Sequence, residues 1–92
     1  MTLVCARITV SGYVQGVGYR YFAHDRAKMH GLKGWVRNIS GGRVESAVEG
    51  EKSAVENYIA DLRTGPINST IDEVEVVWEE HSGKFDDFRI TH

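Results

Sequence analysis

The sequence predicts an α+β domain with the element order β-α-β-β-α-β and a short closing strand. Three observations carry that prediction. Apolar residues alternate with polar ones in several segments and recur at helical spacing in two others. A Gly-Gly pair joins two of the alternating segments directly, and glycine stands at the end of each helical one. Ninety-two residues with 41% apolar content support one modest core, so residues 1–92 are expected to form a single domain.

Taken in order, Val4, Ala6, Ile8 and Val10 alternate with Cys5, Arg7, Thr9 and Ser11, the pattern of a half-buried strand. The glycine-punctuated segment Ser11-Gly12-Tyr13-Val14-Gln15-Gly16-Val17-Gly18 ends the alternation. From Tyr19 to His30 the period becomes helical, with Tyr19, Phe22, Ala23, Ala27 and His30 on one stripe and Gly31 placed to close the helix. Trp35–Ile39 and Val44–Val48 read as strands joined across Ser40-Gly41-Gly42-Arg43, because primed hairpin turns need positive φ at their central residues. Val55, Tyr58, Ile59 and Leu62 mark a second helix within Glu51–Arg63, stopped by Gly65-Pro66. Val74, Val76 and Trp78 form the inward register of an acidic strand, Asp72–Glu80, whose charges suit a sheet edge. Phe85, Phe88 and Ile90 indicate a short last strand. The order is that of the ferredoxin-like split βαβ, an antiparallel sheet with both helices on one face.

This topology bears on function. The first two strands, joined by a right-handed helical crossover, run parallel with the third between them. Their C-terminal ends therefore share one edge, where the glycine-rich segment meets Asn38.

Charge narrows the classes further. Eleven Lys and Arg against 13 Asp and Glu give a net of −2, which excludes a general nucleic-acid or membrane-surface binder. The average hides an asymmetry: residues 1–44 carry +6 and residues 45–92 carry −8. Either the basic half holds a local anion site or the two halves interleave and pair their charges. Cys5 stands alone, so an intrachain disulfide and a thiol-ligated zinc site are excluded, and the four histidines show no ligand spacing. Met1-Thr2-Leu3-Val4 lacks the features of a signal peptide, and no apolar run approaches the roughly 18 residues of a span. A cytoplasmic setting is expected.

Gly16 and Gly18 lie between a strand and a helix N-terminus, where consecutive backbone N–H groups can curl into an anion nest. Arg20, in the first helical turn, opposes the helix dipole unless a bound anion compensates, and its planar fork matches phosphate. The alternative is an ordinary tight turn with Arg20 in solvent. Asn38 either begins the hairpin turn or uses its amide, both donor and acceptor, to hold one water.

Val10-Ser11-Gly12-Tyr13-Val14-Gln15-Gly16-Val17-Gly18-Tyr19-Arg20 resembles the first signature of the acylphosphatase family. Gly34-Trp35-Val36-Arg37-Asn38, continuing through Gly42, Val44 and Glu45, resembles its second, and Gly65-Pro66 and Phe88-Arg89-Ile90 resemble its later landmarks. The resemblance implies the ferredoxin-like fold and metal-independent hydrolysis of carboxyl-phosphate anhydrides, without a cofactor. It implies that Arg20 binds phosphate, that Asn38 positions the attacking water, and that the backbone amides of Gln15, Gly16, Val17, Gly18 and Tyr19 hold the phosphoryl oxygens. A small-molecule acyl phosphate is the implied partner, with no nucleic acid or membrane, and a monomer the implied state. Two residues depart from the pattern. Tyr19 stands where the family usually has Phe, so its hydroxyl needs a partner, and Gly41 stands where Asp is common.

A catalytically silent anion-binding module of the same fold is the rival reading. RNA recognition motifs share the element order, but they need aromatics on the central strands, where this sequence has Arg7, Thr9 and the aromatic-free Val44–Val48. Metal chaperones of this topology need a Cys-x-x-Cys that is absent. Trp35 and Trp78 are read as core or half-core packing, and Arg37 as a surface charge facing away from Asn38.

Overall fold

In the computed structural model, which describes residues 2–92, the first alternating segment forms strand β1 over Leu3–Tyr13. Helix α1 spans Tyr19–Met29, strand β2 Lys33–Ile39, strand β3 Arg43–Glu51, helix α2 Lys52–Thr64, strand β4 Thr70–Glu80 and strand β5 Phe88–Ile90. The sheet order is β4-β1-β3-β2-β5. β1 and β2 both pair antiparallel with β3, so they run parallel to each other and end at one edge, as the crossover argument requires. β4 is an edge strand and bears the acidic residues expected there.

One expectation is corrected. β5 pairs parallel with β2 through Gly34↔Phe88, Trp35↔Arg89 and Val36↔Ile90, so the sheet is mixed rather than wholly antiparallel. The free edge of β2 accepts a strand in either direction. Residues 81–87 reverse the chain after β4 and deliver it in the direction of β2.

Burial follows the alternation. Ala6, Ile8 and Val10 of β1, Val36 of β2, and Val44 and Val48 of β3 face one core with Tyr19, Ala23 and Ala27 of α1. Val55, Tyr58, Ile59 and Leu62 of α2 complete it, which places both helices on the same face of the sheet. Gly31 (φ 71°) closes α1 as expected. Its N–H donates to Lys28 O at 3.1 Å, while Leu32 N–H reaches back to Ala27 O at 2.9 Å, a Schellman ending with Leu32 in the core. Gly34 (φ 146°) permits close approach within the β2–β3 pair, since a Cβ there would lie 1.9 Å from Ala47 O.

Trp78 departs from its expected role. Its pairing with Ala6 puts it in the inward register, yet 45% of it stays exposed. It lies beside the first turn of α2, where Lys52 and Glu56 border an open groove instead of covering the indole.

The charge asymmetry is largely resolved by pairing across the two halves. Arg37 donates from Nε and Nη2 to Glu45 Oε1 at 3.0 and 2.7 Å while lying over the Trp35 ring. Arg7 approaches Glu45 and Glu79 at 3.8 and 3.9 Å, Arg26 approaches Asp61 at 4.0 Å, and Lys28 pairs with Asp87. Arg20 takes no ion-pair partner among the described residues.

Candidate active site

The loop from Val14 to Gly18 is shaped by what it buries. Val14 is almost wholly inaccessible and Val17 packs against the core, pinning the loop from beneath. Gly16 and Gly18 take left-handed backbone (φ 76° and 77°), and a Cβ on either would meet nothing within 4 Å. Glycine is needed at these two positions for conformation and not for room. Gly18 is the N-cap of α1; its carbonyl accepts from Phe22 N at 3.0 Å, no side chain caps the helix, and no acid occupies the first turn. The helix start thus presents uncapped N–H groups and a positive dipole end.

The loop is tied to the hairpin that carries Asn38. Gln15 Nε2 donates to Ile39 O and Arg43 O, both at 3.0 Å, which bridges the two sides of the β2–β3 turn. Asn38 pairs with Val44 inside β2, one residue before the turn, so it does not begin the turn itself. Its Oδ1 is buried and has no hydrogen-bond partner among the described residues. A buried amide oxygen without a partner is uncommon, because leaving it unsatisfied costs about 1–3 kcal/mol.

These features meet in a pocket of about 200 Å³ at the sheet edge, lined by Val14, Gly16, Gly18, Tyr19, Arg20 and Asn38, with Tyr21 at its side. The pocket therefore gathers both candidate side chains, Arg20 and Asn38, with three of the five loop residues expected to hold phosphate. Gln15 and Val17 do not line it: the side chain of Gln15 serves the hairpin and that of Val17 serves the core. Half-buried and without an ion-pair partner, Arg20 departs from the solvent-exposed alternative.

The hydroxyl of Tyr19 finds its partner. The ring is 1% exposed and its OH donates to Leu62 O at 2.7 Å. Leu62 sits in the last turn of α2, and its i+4 neighbour, Pro66, has no N–H to offer. The residue that departs from the usual Phe thus caps a carbonyl that the chain itself cannot. Burial, reinforced by the neighbouring Tyr58, pushes the Tyr19 phenol well above its ordinary pKa and keeps it a donor.

Three contributions escaped the sequence reading. The Gln15 side-chain bridge joins residues 24 and 28 positions apart, a distance over which no local pattern signals contact. Val14 lines the pocket from the core side. Tyr21, a residue 68% exposed, also lines it, and only its adjacency to Arg20 in the first helical turn hinted at this. Among the described residues, no three His, Cys, Asp or Glu side chains converge as a metal-ligand set.

Fold and pocket together define a small α+β domain with a glycine-rich strand–helix loop at the wall of a polar pocket. A sequence model of the Acylphosphatase family matches residues 6–90. The chain is 48% identical over 84 residues to an acylphosphatase of Chloroflexus aurantiacus, covering 91% of each protein. It is 43% identical over 89 residues to one from Methanothrix thermoacetophila, covering 97% of this chain and 98% of that one. The crystal structure of the acylphosphatase from Bacillus subtilis matches with a TM-score of 0.94 and 34% identity, over 97% of this chain and 99% of that one. A part of full-length HypF, solved in its phosphate- and nucleotide-bound form, matches with a TM-score of 0.90 and 36% identity, over 99% of this chain and 12% of HypF. The chain belongs to the acylphosphatase family, and it is a hydrolase acting on acid anhydrides.

Proposed function

We propose that the chain hydrolyses acyl phosphates, R–CO–O–PO₃²⁻, by direct attack of water at phosphorus, without a metal ion. The observation that carries this reading is the buried, unpartnered Oδ1 of Asn38 in the same pocket as Arg20 and the left-handed glycines. In this reading the backbone amides of Gly16, Gly18 and Tyr19, the members of the Gln15–Tyr19 loop that line the pocket, cradle the phosphoryl oxygens, and the Arg20 guanidinium neutralises their charge. The Asn38 oxygen accepts one O–H of a water and directs its lone pair at phosphorus. The water oxygen bonds to phosphorus as the bond to the acyl oxygen breaks, and one water proton passes to a phosphoryl oxygen. The products are R–COO⁻ and H₂PO₄⁻, so charge and protons balance. Because a carboxylate leaves readily, no strong general acid is required, and catalysis rests on positioning and charge stabilisation.

The test is benzoyl phosphate hydrolysis by the wild type, Arg20→Ala and Asn38→Ala, with and without EDTA, between pH 5 and 8. Arg20→Ala should lower kcat/KM by at least about 10²-fold, the scale of losing one preorganised donor to a developing charge. Asn38→Ala should lower kcat by a similar factor and leave KM within about threefold, since it acts on water and not on substrate. EDTA should change nothing. The rate should stay flat across this range, because the proposed step asks no side chain to give or take a proton. Metal-dependent activity, or full turnover without Arg20, would sink the mechanism. A folded wild type that binds phosphate at the loop but turns nothing over would be the silent binding module instead.

The same reading treats residues 1–92 as one domain acting as a monomer on a small-molecule substrate in the cytoplasm, independent of nucleic acid and membrane. The net charge of −2 supports it, as does a free Cys5 buried in β1. Among the described residues, no helix is long and apolar enough to cross a membrane.

A further inference from the structure

We infer that Tyr21 selects the acyl group, favouring planar or bulky apolar acyl phosphates over acetyl phosphate. The inference rests on the reading of the pocket as the phosphate site. At about 200 Å³ the pocket is smaller than the roughly 300 Å³ at which sites begin to enclose whole organic ligands. It takes a phosphoryl group and a water, and the acyl group must leave over the rim. Tyr21 is the pocket-lining residue that carries a large exposed apolar side chain. The other exposed large hydrophobics, including Tyr13, Met29, Ile67 and Trp78, do not line the pocket.

Tyr21 is also uncommitted. Among the described residues its hydroxyl makes no hydrogen bond and its ring no aromatic contact. Its neighbours Tyr19 and Phe22 pack on each other, with Tyr19 bonded to Leu62 and Phe22 beneath the Arg26 guanidinium. A tyrosine 68% exposed beside an anion site offers a ring face that an aryl or branched acyl group can cover, removing apolar surface from water on both sides. Acetyl has one methyl to place there. Aromatic pairing of this kind corresponds to about a three- to tenfold preference.

The test measures kcat and KM for benzoyl and acetyl phosphate, and Ki for inorganic phosphate, in the wild type, Tyr21→Ala, Tyr21→Phe and Tyr13→Ala. Tyr21→Ala should raise KM for benzoyl phosphate about three- to tenfold while leaving KM for acetyl phosphate and Ki for phosphate within about twofold. Tyr21→Phe should keep the wild-type preference, because the ring face and not the hydroxyl makes the contact. Tyr13→Ala removes an equally exposed tyrosine away from the pocket and should change neither substrate. Unchanged benzoyl KM in Tyr21→Ala, or equal changes for both substrates and phosphate, would overturn the inference and leave the phosphate site standing. Loss of the underlying reading has its own signature: a wild type that hydrolyses neither substrate.

Discussion

Replacing Tyr19 by Phe removes one oxygen and tests whether the end of α2 depends on it. The ring keeps its shape and its place in the core, so no cavity forms. Leu62 O, however, loses its donor, and Pro66 at i+4 has no N–H to replace it. Both residues are 1% exposed, so solvent has no ready access to the carbonyl. Stranding a buried acceptor costs about 1–3 kcal/mol. Taking about 2 kcal/mol as the centre, a domain of this size should lose about 8–16 °C in Tm. Urea unfolding should show a lower midpoint at an unchanged m-value, since the buried area is the same. Benzoyl phosphate turnover per folded molecule should stay near wild type, because the backbone N–H of residue 19 remains in the loop. The wild type should in turn lose stability above about pH 10: the unfolded phenol ionises there, while the buried one, its pKa raised, still holds its proton. A Tyr19→Phe midpoint equal to or above the wild type would refute the capping argument. A collapse of turnover at unchanged stability would move the hydroxyl from structure into the chemistry.

Gly34→Ala should abolish or severely impair folding, by more than about 3 kcal/mol, because its Cβ would stand 1.9 Å from Ala47 O at a φ of 146°. Gly42→Ala, at φ 73° with open space around it, should cost only about 1–2 kcal/mol in the same urea titration. Glu49 is nearly buried, and burial alone would raise its pKa. The N–H and hydroxyl of Ser82, both donating at 2.6 Å, outweigh that, helped by His81 and the backbone of Gly83, and hold the pKa below its ordinary 4.5. A depressed carboxyl stabilises the fold above its unfolded pKa, so thermal melts should show this contribution lost as pH falls below 4.5. Glu49→Gln should flatten that part of the profile, and an unaltered acid limb would rule the contact out as a stabilising one.

The elements were legible in the sequence because each buries one face. Val4–Val10 alternates since β1 has helices on one side only, and Tyr19–Ala27 recurs at helical spacing since α1 meets the sheet along one stripe. Local periodicity even placed Arg20 and Asn38 together, through the parallel run of β1 and β2 that a right-handed crossover imposes. Contacts decided across the fold were not legible. The pattern of Phe88–Ile90 is the same whether the strand joins β2 parallel or antiparallel, so β5's direction was missed. Trp78 sits in an inward register, but its exposure depends on where α2 begins. The Gln15 bridge is the most telling case, because an amide in a glycine-rich loop carries no mark of the carbonyls it will find. That bridge also accounts for the character of the site. The fold pairs Arg7, Arg26, Lys28 and Arg37 with acids of the second half, and satisfies Ile39 O and Arg43 O through Gln15. Among the described residues it leaves Arg20 without a carboxylate and Asn38 Oδ1 without a donor, in one pocket. A half-buried cation without a carboxylate, sharing a pocket with a buried acceptor without a donor, is the arrangement on which the proposal of an anion and a water at this site rests.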